Sequence, residues 1–156
     1  MYTRTGRALE TYSRLDVETG VMSASPQTLI LMLYDGALKA IATARGEMQR
    51  HDTAAKGAAV SKAIGIIDDG LRASLDVEGG GELARNLSSL YEYMTHQLLR
   101  ANVRDDAALL DEVATLLRDL RGAWEAMMKL DADSVVPAAN DAGARPHRGA
   151  VLDGRI

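Results

Sequence analysis

Apolar residues recur along this chain at helical spacing in four separate blocks. The first follows Ser25-Pro26, where a serine can cap free N–H groups and a proline at the first helical position loses no hydrogen bond. From there Leu29, Met32, Leu33, Gly36, Ala37, Ala40, Ile41, Ala44 and Met48 mark one face and predict a helix to about residue 50. His51-Asp52-Thr53 is a tight connection, with Asp52 placed to cap the next helix. That second block, about 53–76, carries Val60, Ile64, Ile67, Leu71 and Leu75. Gly79-Gly80-Gly81 ends it, because three glycines in a row hold too much backbone entropy for a helix interior. The third block, about 82–101, sets Leu83, Leu87, Leu90, Tyr91, Met94 and Leu98 on one face. After a turn at Asn102-Val103-Arg104-Asp105, the fourth, about 106–129, presents Leu109, Val113, Leu116, Leu117, Leu120, Trp124 and Met127.

Helices joined by short links must double back at once, which predicts an all-α, antiparallel up-down four-helix bundle over residues 26–130. Residues 1–25 are mixed. Ala8-Leu9-Glu10-Thr11-Tyr12 can form a short helix, but Gly20 and a Ser-Ala-Ser stretch prevent a long one, so this segment reads as an N-terminal arm. Beyond Leu130 the apolar periodicity stops. Two prolines, three glycines and scattered single charges over 131–156 predict a flexible, disordered tail.

Composition narrows the class further. Phe is absent and Ala, Leu and Met abound, which suits helices better than sheet. A formal net charge of −4 lacks the basic stripe of a nucleic-acid binder. With no cysteine, disulfides, thiolate chemistry and Cys-rich zinc sites are excluded, in keeping with a reducing cytosol. The N-terminal residues lack the apolar run of a signal peptide, and no apolar stretch approaches the roughly 20 residues that span a bilayer. The expected location is therefore cytosolic, without direct membrane insertion.

Candidate chemistry is thin. A di-iron or di-manganese bundle needs inward glutamates and Glu-x-x-His pairs, because that spacing puts both ligands on one helix face. Glu92-Tyr93-Met94-Thr95-His96 is one residue too long and occurs once. His51-Asp52 resembles a metal-hydrolase dipeptide, but no further histidine cluster supports it, and a surface His beside a capping Asp explains it better. No serine sits in a strand-to-helix elbow. Gly79-Gly80-Gly81-Glu82 lacks the lysine and spacing of a phosphate loop. The expectation is a protein without enzymatic activity, metal or cofactor.

What stands out is surplus apolar surface. Leu29-Ile30-Leu31-Met32-Leu33-Tyr34 is apolar for most of a helical circuit, and Ile66, Tyr93 and Leu99 lie beside their main stripes. Such positions widen the core, meet the N-terminal arm, or receive a partner in an interhelical groove.

The same residues resemble the FliS family over about residues 1–130. Met1-Tyr2-Thr3, Tyr12, and Met22-Ser23-Ala24-Ser25-Pro26 leading into Leu29-Ile30 and Met32-Leu33-Tyr34-Asp35-Gly36-Ala37 are similar to its N-terminal signature. Ala55-Lys56-Gly57, Ser61-Lys62-Ala63-Ile64 and Ile67-Asp68 continue the match. Gly80-Gly81-Glu82, Asn86-Leu87-Ser88, Leu90-Tyr91-Glu92-Tyr93-Met94, Leu98-Leu99, Ala101-Asn102 and Asp105-Asp106-Ala107 complete it.

The resemblance implies a cytosolic export chaperone that wraps the flagellin C-terminal segment and prevents premature polymerisation. It also implies that the loaded complex docks on the export gate protein of the flagellar secretion apparatus, with Tyr12 and Leu9 of the arm as docking candidates. Candidate cargo residues are Ile64, Ile67, Leu71, Asn86, Tyr91, Tyr93 and Leu98, on the second and third helices. Tyr91 and Tyr93 cannot share a helix face, so one of them must turn away from the core. A helical adaptor of a secretion system with a different cargo is the alternative reading.

Overall fold

The computed structural model describes the backbone of residues 24–140 and the side chains of residues 24–133. Among the described residues there are four α-helices and no strand: α1 (Pro26–Gln49), α2 (Thr53–Gly65), α3 (Gly81–Arg104) and α4 (Ala107–Asn140). α2 runs directly into a π-helical segment, Ile66–Arg72. The expected all-α bundle is the one that forms.

Local chemistry starts each element. Ser25 has an extended backbone and its hydroxyl accepts from Thr28 N at 3.2 Å, with Pro26 at the first helical position. The Asp52 carboxylate accepts from Ala55 N at 3.0 Å and caps α2. Asp106 serves the start of α4, accepting from Ala108 N at 3.0 Å. His51 and Asp105 take left-handed backbone angles (φ 60° and 52°) at the two tightest reversals.

Side chains that tie the helices together show their antiparallel order. Lys56, at the start of α2, reaches the end of α3, where its Nζ donates to Asn102 O at 2.9 Å and to Asp105 Oδ1 at 2.5 Å. Between α1 and α4, Asp35 pairs with Arg121 at 2.6 Å while Arg45 pairs with Asp111 at 2.8 Å. Inside lie Leu33, Tyr34 and Ile41 of α1, Val60 of α2, Met94 and Leu98 of α3, and Leu110, Val113 and Leu117 of α4. Each of the large aliphatic side chains in this set stabilises the fold by about 1.5–3 kcal/mol relative to leaving it in water.

The π segment is where the structure departs from the simple helix expected over 53–76. Ile66, Ile67, Gly70 and Leu71 are buried there, and a methyl group on Gly36 of α1 would sit 3.4 Å from Ile66 Cδ1. The hydrogen-bond ladder then tightens step by step. Ala73 N bonds to Asp68 O, five residues back, at 3.2 Å; Ser74 N to Gly70 O, four back, at 3.1 Å; and Leu75 N to Arg72 O, three back, at 3.1 Å. The helix winds down before the glycines are reached.

Two other boundaries differ from the apolar pattern. α3 continues through Asn102-Val103-Arg104, so that only Asp105 and Asp106 link it to α4. This is possible because Asp tolerates the left-handed region better than most residues. α4 continues to Asn140, past the point where periodicity stops. Apolar periodicity reports a buried face and so does not mark where a helix stops, and Pro137, which has no N–H to donate, falls within the last turn. By its internal contacts the chain forms two compact units, Met1–Arg121 and Gly122–Ile156. In the second, Trp124 is half-buried and Met127 exposed.

Candidate functional site

α3 presents a buried face and two flanks. Ala84, Tyr91, Met94, Leu98 and Ala101 form the buried face. On the first flank, Ser88 and Glu92 meet Arg72 of the π segment, whose Nε donates to Ser88 Oγ at 3.0 Å and whose Nη2 lies 3.7 Å from Glu92 Oε1. Helical spacing continues this flank to Leu99 and then Val103, which are 52% and 80% exposed. Among the described residues, none covers these large apolar groups.

The second flank carries Asn86, Leu90, Tyr93 and Gln97 at alternating spacings of four and three, and it is tied to α4. Tyr93 Oη donates to Glu112 Oε2. Gln97 Nε2 donates to Glu112 Oε1 at 2.9 Å and to Tyr93 Oη at 3.2 Å, and Gln97 Oε1 accepts from Arg100 Nη1 at 2.8 Å. The Tyr93 hydrogen bond, followed by that from Gln97, holds the Glu112 carboxyl below its ordinary range. Conversely the Glu112 partner raises the Tyr93 phenol. Tyr93 is 43% exposed, while Gln97 is buried.

The cargo candidates divide between core and surface. Ile67, Leu71, Tyr91 and Leu98 lie in the core, where a surface ligand does not touch them unless helices part. Ile64 is half-buried on α2, and Asn86 and Tyr93 are exposed on the second flank of α3. Tyr91 faces inward and Tyr93 outward, as the helix period requires of the pair. Leu9 and Tyr12 lie outside the described residues. Sequence reasoning missed Glu112, Gln97 and Arg100; the Tyr93–Gln97 spacing of four was a visible signal, whereas Glu112 depends on the register of α4 against α3. In the apolar run of α1, Leu33 and Tyr34 are buried and Leu29 to Met32 half-buried.

One small pocket is lined by Glu47, Met48, His51, Asp52, Thr53, Lys56 and Asp105. Lys56 is 4% exposed, and its ammonium is engaged by the terminal carbonyl and carboxylate of α3, where a cation is favoured. With Asp52 occupied as a helix cap, the arrangement is a clamp between helix ends. Among the described residues no group of three or more His, Cys, Asp or Glu is placed to hold a metal ion, and no helix is long and apolar enough to cross a membrane.

The family profile described as "Flagellar protein FliS" matches residues 8–131. The "Flagellar secretion chaperone FliS" of Salmonella typhimurium (strain LT2) is 52% identical over 125 residues, covering 80% of this chain and 91% of the relative. The protein of the same name from Escherichia coli (strain K12) is 46% identical over 119 residues, covering 76% and 88%. "Flagellar secretion chaperone FliSB" of Pseudomonas aeruginosa (strain PAO1) is 46% identical over 119 residues, covering 76% and 94%.

Proposed function

The chain belongs to the FliS family of flagellar secretion chaperones, and we propose that its cargo is the C-terminal segment of flagellin, bound in the cytosol and delivered to the export gate protein. The match over residues 8–131 to relatives named flagellar secretion chaperones carries this reading. The two flanks of α3 supply surface suited to it. An unassembled flagellin end exposes apolar faces that drive polymerisation. Laying it against Leu99 and Val103 on one flank, or Tyr93 and Leu90 on the other, buries those faces while the chaperone core stays intact. The cargo gives up conformational entropy on binding, which moderates the affinity of a large contact. Leu9 and Tyr12 of the arm are the proposed contacts with the gate. The protein acts by binding and has no catalytic step.

Calorimetric titration with a peptide covering the flagellin C-terminus of the same organism tests this. Saturable one-to-one binding with a large negative heat-capacity change is expected. Tyr93→Glu weakens the binding with little loss of helicity, and deletion of residues 131–156 leaves it intact. Tyr12→Ala retains cargo binding but loses capture of the loaded complex by the gate protein. A folded protein that ignores the peptide would overturn the flagellin reading in favour of an adaptor with another cargo.

A further inference from the structure

Tyr93 is an exposed aromatic side chain whose hydroxyl is bonded to both its own helix and the next. Surface tyrosines on helices exchange rotamers freely, but here the phenol oxygen is engaged by groups from two helices, Gln97 of α3 and Glu112 of α4. Glu112 accepts from Tyr93 on one oxygen and from Gln97 on the other, so its carboxylate plane is fixed by both bonds. Gln97 is 6% exposed and its amide direction is set, because Arg100 occupies the carbonyl end and leaves the NH2 end for Tyr93 and Glu112. The network tethers the hydroxyl of a tyrosine that is 43% exposed.

Fold stability does not explain such an arrangement. Burial of Gln97 accounts for its own bonds to Glu112 and Arg100, but the hydroxyl of the exposed Tyr93 could reach water instead, so its place in the network adds little to folding. Binding explains it better. An aromatic ring already held in one rotamer loses less freedom when a partner covers it, and the affinity gain comes from that preorganisation.

We infer that Glu112 and Gln97 are positioning residues that hold Tyr93 as a preformed contact for apolar side chains of the cargo. This rests on the flagellin reading above, and it assigns a role to residues on α4 and α3 that touch no cargo themselves. The ring makes the contact; the carboxylate and the amide fix its direction.

The decisive variants are Tyr93→Phe, Glu112→Ala and the two combined, titrated with the flagellin C-terminal peptide. Tyr93→Phe keeps the ring and removes only the tether, so a simple packing role leaves its affinity unchanged. Positioning predicts that each single variant weakens binding about 2- to 10-fold, the range for immobilising one side chain. The double variant binds no more weakly than the weaker single, because both break the same tether. The melting temperature stays at the wild-type value in Tyr93→Phe, whereas Glu112→Ala also unpairs the buried Gln97 amide and melts lower, so affinities are compared at a temperature where every variant is folded. Unchanged affinity in the single variants, or losses that simply add, would overturn the assignment. A second measurement uses no cargo: side-chain NMR couplings of Tyr93 should report one rotamer in the wild type and averaging in Glu112→Ala. Averaging already in the wild type would overturn the assignment too. Failure of the wild type to bind the peptide, with a single Tyr93 rotamer present, would instead refute the flagellin reading and leave the tether standing.

Discussion

The hydroxyls of Tyr34 and Tyr91 lie 2.6 Å apart inside the bundle and join the first helix to the third. Each phenol is buried, and each is the hydrogen-bonding partner of the other. Removing one hydroxyl strands its neighbour, so Tyr34→Phe or Tyr91→Phe should each cost about 1–3 kcal/mol. The double variant removes donor and acceptor together and should cost less than the sum of the singles. Urea unfolding of the four proteins measures this coupling, and strict additivity would show that the pair contributes nothing as a pair.

The same tyrosines set an alkaline limit. Burial raises the pKa of both, and the Glu112 hydrogen bond raises that of Tyr93. An unfolded tyrosine ionises near pH 10, so the folded chain holds protons that the unfolded chain releases. The stability from these groups is therefore complete below about pH 10 and lost as pH rises through the higher folded values. Melting temperatures recorded across this range should fall steeply for the wild type. They should fall less in Tyr34→Phe/Tyr91→Phe, and equal slopes would refute the linkage.

Lys56 offers a contrast between two bonds on one ammonium. Its Asn102 carbonyl partner is half-buried and its Asp105 partner mostly exposed. Lys56→Met retains the packed stem but leaves the carbonyl without its donor, an expected loss of about 1–3 kcal/mol. Asp105→Asn keeps a residue that tolerates the left-handed backbone and weakens only a screened ion pair, for less than about 1 kcal/mol. Chemical denaturation should rank the two variants in that order.

Two glycines should respond in opposite directions. A methyl group at Gly57 meets nothing within 4 Å, so Gly57→Ala should stabilise α2 by about 1 kcal/mol through propensity. At Gly80 the same methyl group would sit 2.6 Å from Asp76 O and 2.7 Å from Ala84 Cβ. Gly80→Ala should therefore cost about 1–3 kcal/mol as overpacking does. Thermal melts that shift both variants the same way would contradict this account of the turn.

Features that depend on neighbouring residues are legible in the amino-acid sequence. Ser25-Pro26 and Asp52 cap the helices they precede, since capping is a matter of a few bonds within one turn. The placement of Ile67, Met94, Leu98 and Val113 inside follows from period alone. The π segment is not legible there, because Ile66, Ile67, Gly70 and Leu71 suit an α-helical stripe equally well and only the bonded carbonyl distinguishes the two. Glu112 is hidden for another reason. Its meeting with Tyr93 depends on how abruptly Asp105 and Asp106 reverse the chain, and one residue more would face Tyr93 with a different side chain. Periodicity likewise separates Tyr91 from Tyr93 but does not say which neighbouring helix Tyr93 will meet.

The π segment also bears on how related chains of unequal length are to be aligned. A wide turn takes in one additional residue within a helix and leaves the elements on either side in place. A relative one residue shorter between Gly65 and Ala73 can make the same element with an uninterrupted α ladder. The length difference then belongs inside the helix. Assigning it to the connection at 73–80 would turn the intervening residues by about 100° and exchange inward-facing positions for outward-facing ones.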